Sequence, residues 1–210
     1  RGLGDVYKRQ LKDFPESGIM AKRAVFLDRD GVINFDFAYV HTVEEFQWIP
    51  GVLEAAKTLH DDGWTLVVVT NQSGIGRGYY SVEDFTRLTN WMKAEFAKAS
   101  APLAGVYFCP HHPSKALPEF QLDCNCRKPR PGMLLKAAKD LDIDLESSMI
   151  FGDKLSDMEA GLAAHCHERV LLGTDAKATP TPTAETTQTF ASLAEAVRSS
   201  WYRNLMASIA

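Results

Sequence analysis

Asp28-Arg29-Asp30-Gly31 stands directly behind the apolar run Ala24-Val25-Phe26-Leu27. A short buried strand that ends this way delivers two carboxylates, one residue apart, to the mouth of a sheet. In open α/β sheets the carboxyl ends of strands are where ligands bind. A turn at Arg29-Asp30-Gly31, which Gly31 permits, would bring both acids to one site.

Three later segments repeat the pattern. The run Leu66-Val67-Val68-Val69 ends in Thr70-Asn71-Gln72-Ser73 and the glycine-rich Gly74-Ile75-Gly76-Arg77-Gly78. A hydroxyl and amide donors followed by flexible backbone suit an oxyanion such as phosphate. The glycine spacing is neither the dinucleotide fingerprint nor a Walker loop. Ser73 also lacks the nucleophile-elbow setting of a serine hydrolase. Arg127-Lys128-Pro129 precedes Pro131-Gly132, which opens a helix. A lysine fixed beside a proline can neutralise a phosphoryl group. Met149-Ile150-Phe151 then ends in Gly152-Asp153-Lys154-Leu155-Ser156-Asp157, acids once more just past a strand. Singly, each piece is a turn or a helix cap. Together and in this order they argue for one phosphate site.

Cys109-Pro110-His111 and Cys124-Asn125-Cys126 hold three of the four cysteines. Three thiolates and one imidazole complete a tetrahedral Zn²⁺ without water, which makes a structural site. The C-x-H and C-x-C spacings differ from the usual C-x2-C knuckle, and reduced loop cysteines are the alternative. A disulfide is disfavoured without a secretion signal. Cys126 immediately precedes Arg127-Lys128, so a metal at Cys109, His111, Cys124 and Cys126 would fix the loop that carries the phosphate-facing cation. His112 reads as a loop residue and His165-Cys166-His167 as structural, while His41 and His60 have no partner assigned.

These groups need a scaffold. The 210 residues fit one domain, and 45% apolar with 24% charged residues is ordinary for a globule. A net charge of −4 without a dense Lys/Arg run argues against nucleic acid. No apolar stretch approaches the roughly 18 residues of a membrane span. Arg1 to Ile19 obeys no periodicity and is read as a non-native leader before a natural start at Met20, leaving 20–210 as a single domain. Strand-like runs at Ala24–Asp28, Leu66–Thr70, Val106–Cys109, Met149–Gly152 and Val170–Leu172 alternate with helix-period segments. The segments are Val52–Asp61, Val82–Ala99, Pro131–Leu141 and Asp157–Ala164. That alternation predicts a parallel α/β sheet. Phe85, Leu88, Met92 and Phe96 recur at helical spacing behind Ser81 as N-cap. Thr179 to Thr189 reads as a surface loop, and Leu193–Ile209 as a helix with Leu193, Val197 and Trp201 on one face.

Asp28-x-Asp30-Gly31, Thr70-Asn71, Lys128 and Gly152-Asp153-x3-Asp157 resemble the four motifs of the haloacid dehalogenase-like phosphatases, over about Ala24 to Leu172. The resemblance implies a Rossmann-like three-layer α/β/α sandwich with a mostly parallel sheet. No segment is long enough for a large separate cap domain, and the cysteine set makes a short zinc loop at about 109–126. The resemblance makes Asp28, Asp30, Thr70 and Lys128 catalytic. Mg²⁺ would be held by Asp28 and Asp153 and by the backbone carbonyl of Asp30. Asp28 would attack phosphorus, Asp30 would protonate the leaving alkoxide and later activate water, and Thr70 and Lys128 would bind phosphoryl oxygens. Asp157 would either support the metal site or stabilise the next helix's first turn.

The zinc loop narrows the resemblance to D-glycero-D-manno-heptose 1,7-bisphosphate phosphatases, with histidinol-phosphate phosphatases as the alternative. The former implies hydrolysis of a 7-phosphate in heptose supply for lipopolysaccharide. It also implies substrate contacts from Asp36, Phe37, Ala38, Tyr39, Asn71, Gln72, Ser73, Arg127 and Lys154. Arg127 suits a substrate with additional anionic charge. Val32 stands where many relatives have threonine. The partner implied is a small sugar bisphosphate bound by a cytoplasmic monomer, with neither nucleic acid nor membrane. A polynucleotide 3′-phosphatase would need a basic groove. A non-catalytic zinc-dependent interaction module would leave four intact motifs unused.

Overall fold

The structure, a computed structural model, describes residues 22–173 and 178–209, so the expected leader over 1–19 lies outside it. Ala24–Leu27 forms strand β1, buried on both faces as a continuous apolar run at the centre of a parallel sheet must be. Then come helix α1 (Val52–Asp61), strand β2 (Thr65–Asn71), a single helical turn α2 (Ser73–Gly76), helix α3 (Val82–Lys98) and strand β3 (Leu103–Cys109). The second half holds α4 (Gly132–Leu141), β4 (Met149–Gly152), α5 (Leu155–Ala163), β5 (Glu168–Leu172), β6 (Gln188–Phe190), α6 (Leu193–Arg198) and α7 (Ser200–Ser208).

The strands form one sheet in the order β3-β2-β1-β4-β5-β6, every neighbouring pair parallel. Alternate strand residues feed two cores, as the two-residue period of a strand requires. On one face Val25, Leu27, Val68 and Phe151 pack with α1, α3 and α6. On the other, Phe26, Val67, Val69 and Ile150 meet Met133, Leu134 and Ala137 of α4 and Met158 of α5. The result is the expected three-layer sandwich. In α3, Ser81 and Asp84 form a reciprocal capping box, and Phe85, Leu88, Met92 and Phe96 are all buried.

Two expectations fail at the C-terminal end. The region expected as a loop to Thr189 contributes β6, which pairs Gln188 with Val170 and Phe190 with Leu172 and extends the sheet. The helix expected over Leu193–Ile209 is two helices. Ser199 adopts extended backbone between them, and its hydroxyl accepts a hydrogen bond from Tyr202 N at 3.2 Å. A serine that bonds nearby backbone offers the chain an alternative to continuing the helix.

From β1 the chain steps outward through β2 to β3, then returns to place β4 on the other side of β1. The order of connections reverses at β1. At such a switch point the loops at the carboxyl ends diverge and leave a crevice.

Candidate active site

Asp28 is the first residue past β1, and its N–H donates to Phe151 O of β4 at 3.0 Å. Its Oδ1 accepts from Arg29 N at 2.7 Å and lies 3.1 Å from Lys128 Nζ. Lys128 is 3% exposed. Its ammonium also meets Asp157 Oδ1 at 2.6 Å and donates to Val69 O at 2.8 Å. Asn71 fastens this lysine to the end of β2. Its Oδ1 accepts from Lys128 N and its Nδ2 donates to Lys128 O, both at 3.1 Å. The amide is therefore used inward, on the lysine's backbone.

Asp157 takes the helix-start role open for it in the sequence and adds an ion pair to Lys128. Its Oδ2 accepts from Lys154 N at 3.1 Å at the start of α5, while its Oδ1 holds Lys128. Two glycines make the crowding of acids possible. Gly31 sits at φ +86°, and a Cβ there would lie 2.2 Å from Asp153 Oδ2; a Cβ on Gly152 would lie 2.2 Å from Asp157 Cβ. Carboxylate oxygens of Asp28, Asp153 and Asp157 consequently all fall within 4.8 Å of one another.

This concentration of charge has a cost. Burial, reinforced by Asp157 and Asp30, pushes the Asp28 carboxyl up to about 6 despite Lys128. Burial also raises Asp153 to about 7 against the opposing Lys154, and Asp28, Asp157 and Asp36 add to the rise. Burial works against the Lys128 charge, yet Asp157 and Asp28 together hold its ammonium above its ordinary value. One lysine shared by two acids cannot neutralise a third. Asp153 Oδ1 is buried without a hydrogen-bond partner, and the Lys154 ammonium stands 4.0 Å away. An unsatisfied buried carboxylate oxygen among hard oxygen donors fits a divalent cation such as Mg²⁺.

Asp30 faces a different set. Arg29, 1% exposed, reaches both its oxygens at 2.9 and 3.0 Å; Asn34 Nδ2 donates to Oδ1 and Gln72 Nε2 to Oδ2, each at 3.0 Å. Gln72 also donates to Thr70 Oγ1 at 2.8 Å, so this buried amide points into the site wall. Arg29 and Asn34 were not identified from the sequence, nor was Tyr80, whose hydroxyl donates to Gln72 Oε1 at 2.6 Å. Only the position of Arg29 between two motif aspartates could have signalled it.

Among the expected substrate contacts, Lys154 pairs with Asp36 at 3.0 Å. Burial opposes the Asp36 charge, but Lys154 and the Ala38 N–H keep that carboxyl below its usual range. Ala38 and Tyr39 both adopt left-handed backbone, at φ 58° and 59°. That conformation is uncommon for non-glycine residues. Phe37 is exposed, and the exposed Tyr39 ring sits edge-on to Tyr79, 4.7 Å between centroids. Ser73 opens α2, and Arg127 donates to His111 O at 3.2 Å. The glycine-rich loop is not the open backbone expected. A Cβ on Gly74 would strike Tyr80 at 2.2 Å, and one on Gly76 would strike Pro110 O at 2.3 Å. These glycines admit close neighbours.

Cys109, His111, Cys124 and Cys126 converge beside the lysine loop. The sulfurs lie 3.1, 3.2 and 3.5 Å apart, and His111 Nδ1 is 3.4 Å from Cys126 and 3.7 Å from Cys109. A tetrahedron with Zn–S bonds of about 2.3 Å has edges of about 3.8 Å. The set is somewhat more compact than that, and its three thiols and one imidazole fit a Zn²⁺ ion in chemistry and number. Burial and the neighbouring sulfurs push the Cys109 thiol up, while burial and Cys124 raise Cys126 against a lowering contact from Cys109. At Cys124 burial is opposed by hydrogen bonds from Cys126, Cys109 and the backbone of Arg127 and Cys126, and the thiol is lowered. His112 Nδ1 accepts from Ser114 N and Lys115 N, as a loop residue.

A family profile described as HAD-hydrolase-like matches residues 125–196. The D-glycero-beta-D-manno-heptose-1,7-bisphosphate 7-phosphatase of Yersinia pestis is 50% identical over 151 residues, covering 72% of this chain and 80% of the relative. The chain belongs to the heptose-bisphosphate phosphatase family. A family member from Burkholderia mallei, named for the alpha anomer, is 51% identical over 145 residues, 69% of this chain and 77% of its own. The solved D,D-heptose 1.7-bisphosphate phosphatase from B. bronchiseptica, complexed with magnesium and phosphate, superimposes with a TM-score of 0.69. It is 32% identical and covers 82% of this chain and 94% of that one. No helix among the described residues is long and apolar enough to cross a membrane.

Proposed function

We propose that this chain hydrolyses the 7-phosphate of a D-glycero-D-manno-heptose 1,7-bisphosphate through an aspartyl-phosphate on Asp28. The observation that carries the reading is the buried Asp28–Lys128 pair at the switch point, beside Asp153 with its unsatisfied oxygen. The relatives' names supply the sugar. Asp28, Asp153 and the backbone carbonyl of Asp30 would hold Mg²⁺, which offsets the charge of a phosphate dianion.

Arg29 N and Lys128 fix Asp28 Oδ1 and so set the orientation of the attacking carboxylate. A bond forms from that carboxylate to phosphorus as the bond to the sugar oxygen breaks, and Asp30 gives the alkoxide its proton. Asp30 then takes a proton from water, which attacks the aspartyl-phosphate and releases phosphate with the Asp28 carboxylate restored. Lys128 and Thr70 bind the phosphoryl oxygens. The zinc set, through Cys126, holds Arg127 and Lys128 in place, and Arg127 receives the second phosphate. Phe37, Tyr39, Lys154 and Ser73 contact the sugar bisphosphate. The cysteine set suits a reducing cytoplasm, and the enzyme acts there as a monomer.

Asp28→Asn should abolish turnover with an unchanged circular dichroism spectrum; a near-normal rate removes Asp28 as nucleophile. Comparing kcat/KM for heptose 1,7-bisphosphate and histidinol phosphate tests the substrate. At least a hundredfold preference for the bisphosphate, about 2.7 kcal/mol, is expected, and the reverse preference overturns the assignment.

A further inference from the structure

Tyr80 lies outside the four motif segments, yet it is tied to the reacting groups. Its hydroxyl donates to Gln72 Oε1 at 2.6 Å. The other end of that amide donates to Asp30 Oδ2 and to Thr70 Oγ1. A carboxyl oxygen that carries no proton only accepts, so with Nε2 facing Asp30 Oδ2 any proton that Asp30 delivers sits away from that contact, and Oε1 then needs a donor of its own. Tyr80 is that donor. Turned the other way, the amide would set oxygen against oxygen at Asp30 and leave the tyrosine hydroxyl to find another acceptor.

The tyrosine is itself held firmly. It is buried, its ring stacks on His41 at 5.0 Å with 4° between planes, and Ile75 and Phe85 share its cluster. The absent side chain of Gly74 is what lets the ring lie against the loop. Asp30 Oδ1 is fixed from its own segment by Arg29 and Asn34. Gln72 brings the end of β2 to bear on Oδ2. One hydroxyl thus sets a single amide that touches both the acid and the threonine.

We propose that Tyr80 is a positioning residue, acting through Gln72 to aim Asp30 at the leaving group. This rests on Asp30 as the leaving-group acid, the reading given above. A misaimed acid should matter in proportion to how much the departing oxygen needs a proton. An alkoxide needs it; p-nitrophenolate does not. The quantity kcat/KM covers only the steps through leaving-group departure, so later hydrolysis of the aspartyl-phosphate does not enter.

The test compares Tyr80→Phe with the unsubstituted holoenzyme, Mg²⁺ saturating and zinc bound, on heptose bisphosphate and on p-nitrophenyl phosphate. A well-placed acid is worth roughly 10²–10⁴-fold, and losing one positioning bond should remove part of that, about tenfold in kcat/KM for the sugar substrate. The aryl phosphate should change by less than about twofold on the same argument. Asp30→Asn is the control. If Asp30→Asn shows the selective loss and Tyr80→Phe does not, the positioning role is wrong while Asp30 stands as the acid. If Asp30→Asn shows no selectivity, the reading of Asp30 fails and takes this proposal with it. Equal losses on both substrates in Tyr80→Phe, with a lowered Tm, would make Tyr80 merely structural and overturn the proposal.

Discussion

Magnesium affinity should fall steeply with acidification, by about a hundredfold between pH 8 and pH 5.5. Binding through Asp28 and Asp153 requires both carboxylates to be free of protons, and burial holds them up to about 6 and about 7. At pH 5.5 protons compete at Asp28 by a factor of about 4 and at Asp153 by about 30, whereas at pH 8 both factors are close to 1. The product is roughly 130-fold, or about 2.8 kcal/mol of binding free energy. Stability follows the same linkage. Both acids titrate higher when folded than when unfolded, so the metal-free fold retains those protons. Their contribution is complete below the unfolded value of roughly 3.9 and is lost as pH rises through about 6 and about 7. The gain in Tm on adding Mg²⁺ should therefore grow from pH 5.5 to pH 8. Isothermal titration with MgCl₂ at four pH values, with thermal melts alongside, measures both. A change in affinity of less than threefold, or a larger Tm gain at the acid end, would refute the idea that two buried carboxylates receive the ion.

Two further perturbations bear on the same machinery. Lys128→Met leaves Asp28 and Asp157 buried without their shared cation and should cost about 3–5 kcal/mol in urea unfolding; a loss below about 1 kcal/mol would mean that the acids find protons or water easily. Stripping zinc, or Cys126→Ser, should abolish most turnover with saturating Mg²⁺ while circular dichroism shows the sheet intact. Full activity in a folded, zinc-free protein would end the positioning role given to that metal.

The carboxylate and lysine segments were legible in the sequence because each is local: an apolar run announces a strand, and the next few residues carry the chemistry. The structure brings Asp28, Lys128, Asp153 and Asp157 together as that pattern required. What was illegible depended on contacts between segments. Gln72 and Asn71 looked like donors for substrate, but nothing in their own neighbourhood says that Asp30, Thr70 and the Lys128 backbone claim them. Glycine likewise signals freedom of backbone in one dimension, whereas at Gly74 and Gly76 its use is the space that Tyr80 and Pro110 occupy. The break at Ser199 was hidden because Leu193, Val197 and Trp201 keep helical spacing across it. One hydroxyl capturing one N–H decides the matter.

The reversal of connections at β1 makes the reaction a report on the whole chain. Asp28 is made early, on a strand whose first partner, β2, follows it closely; its other partner, β4, arrives only after β3 and the cysteine loop. A nascent chain that stops short of Asp153 and Asp157 has Asp28 and Lys128 but lacks the acids that complete the charge balance around them. On the proposed mechanism, turnover should begin only when β2 and β4 have both paired with β1. An assay for phosphate release would then also be an assay for finished folding, and damage confined to β4 and α5 should silence the enzyme as fully as loss of Asp28.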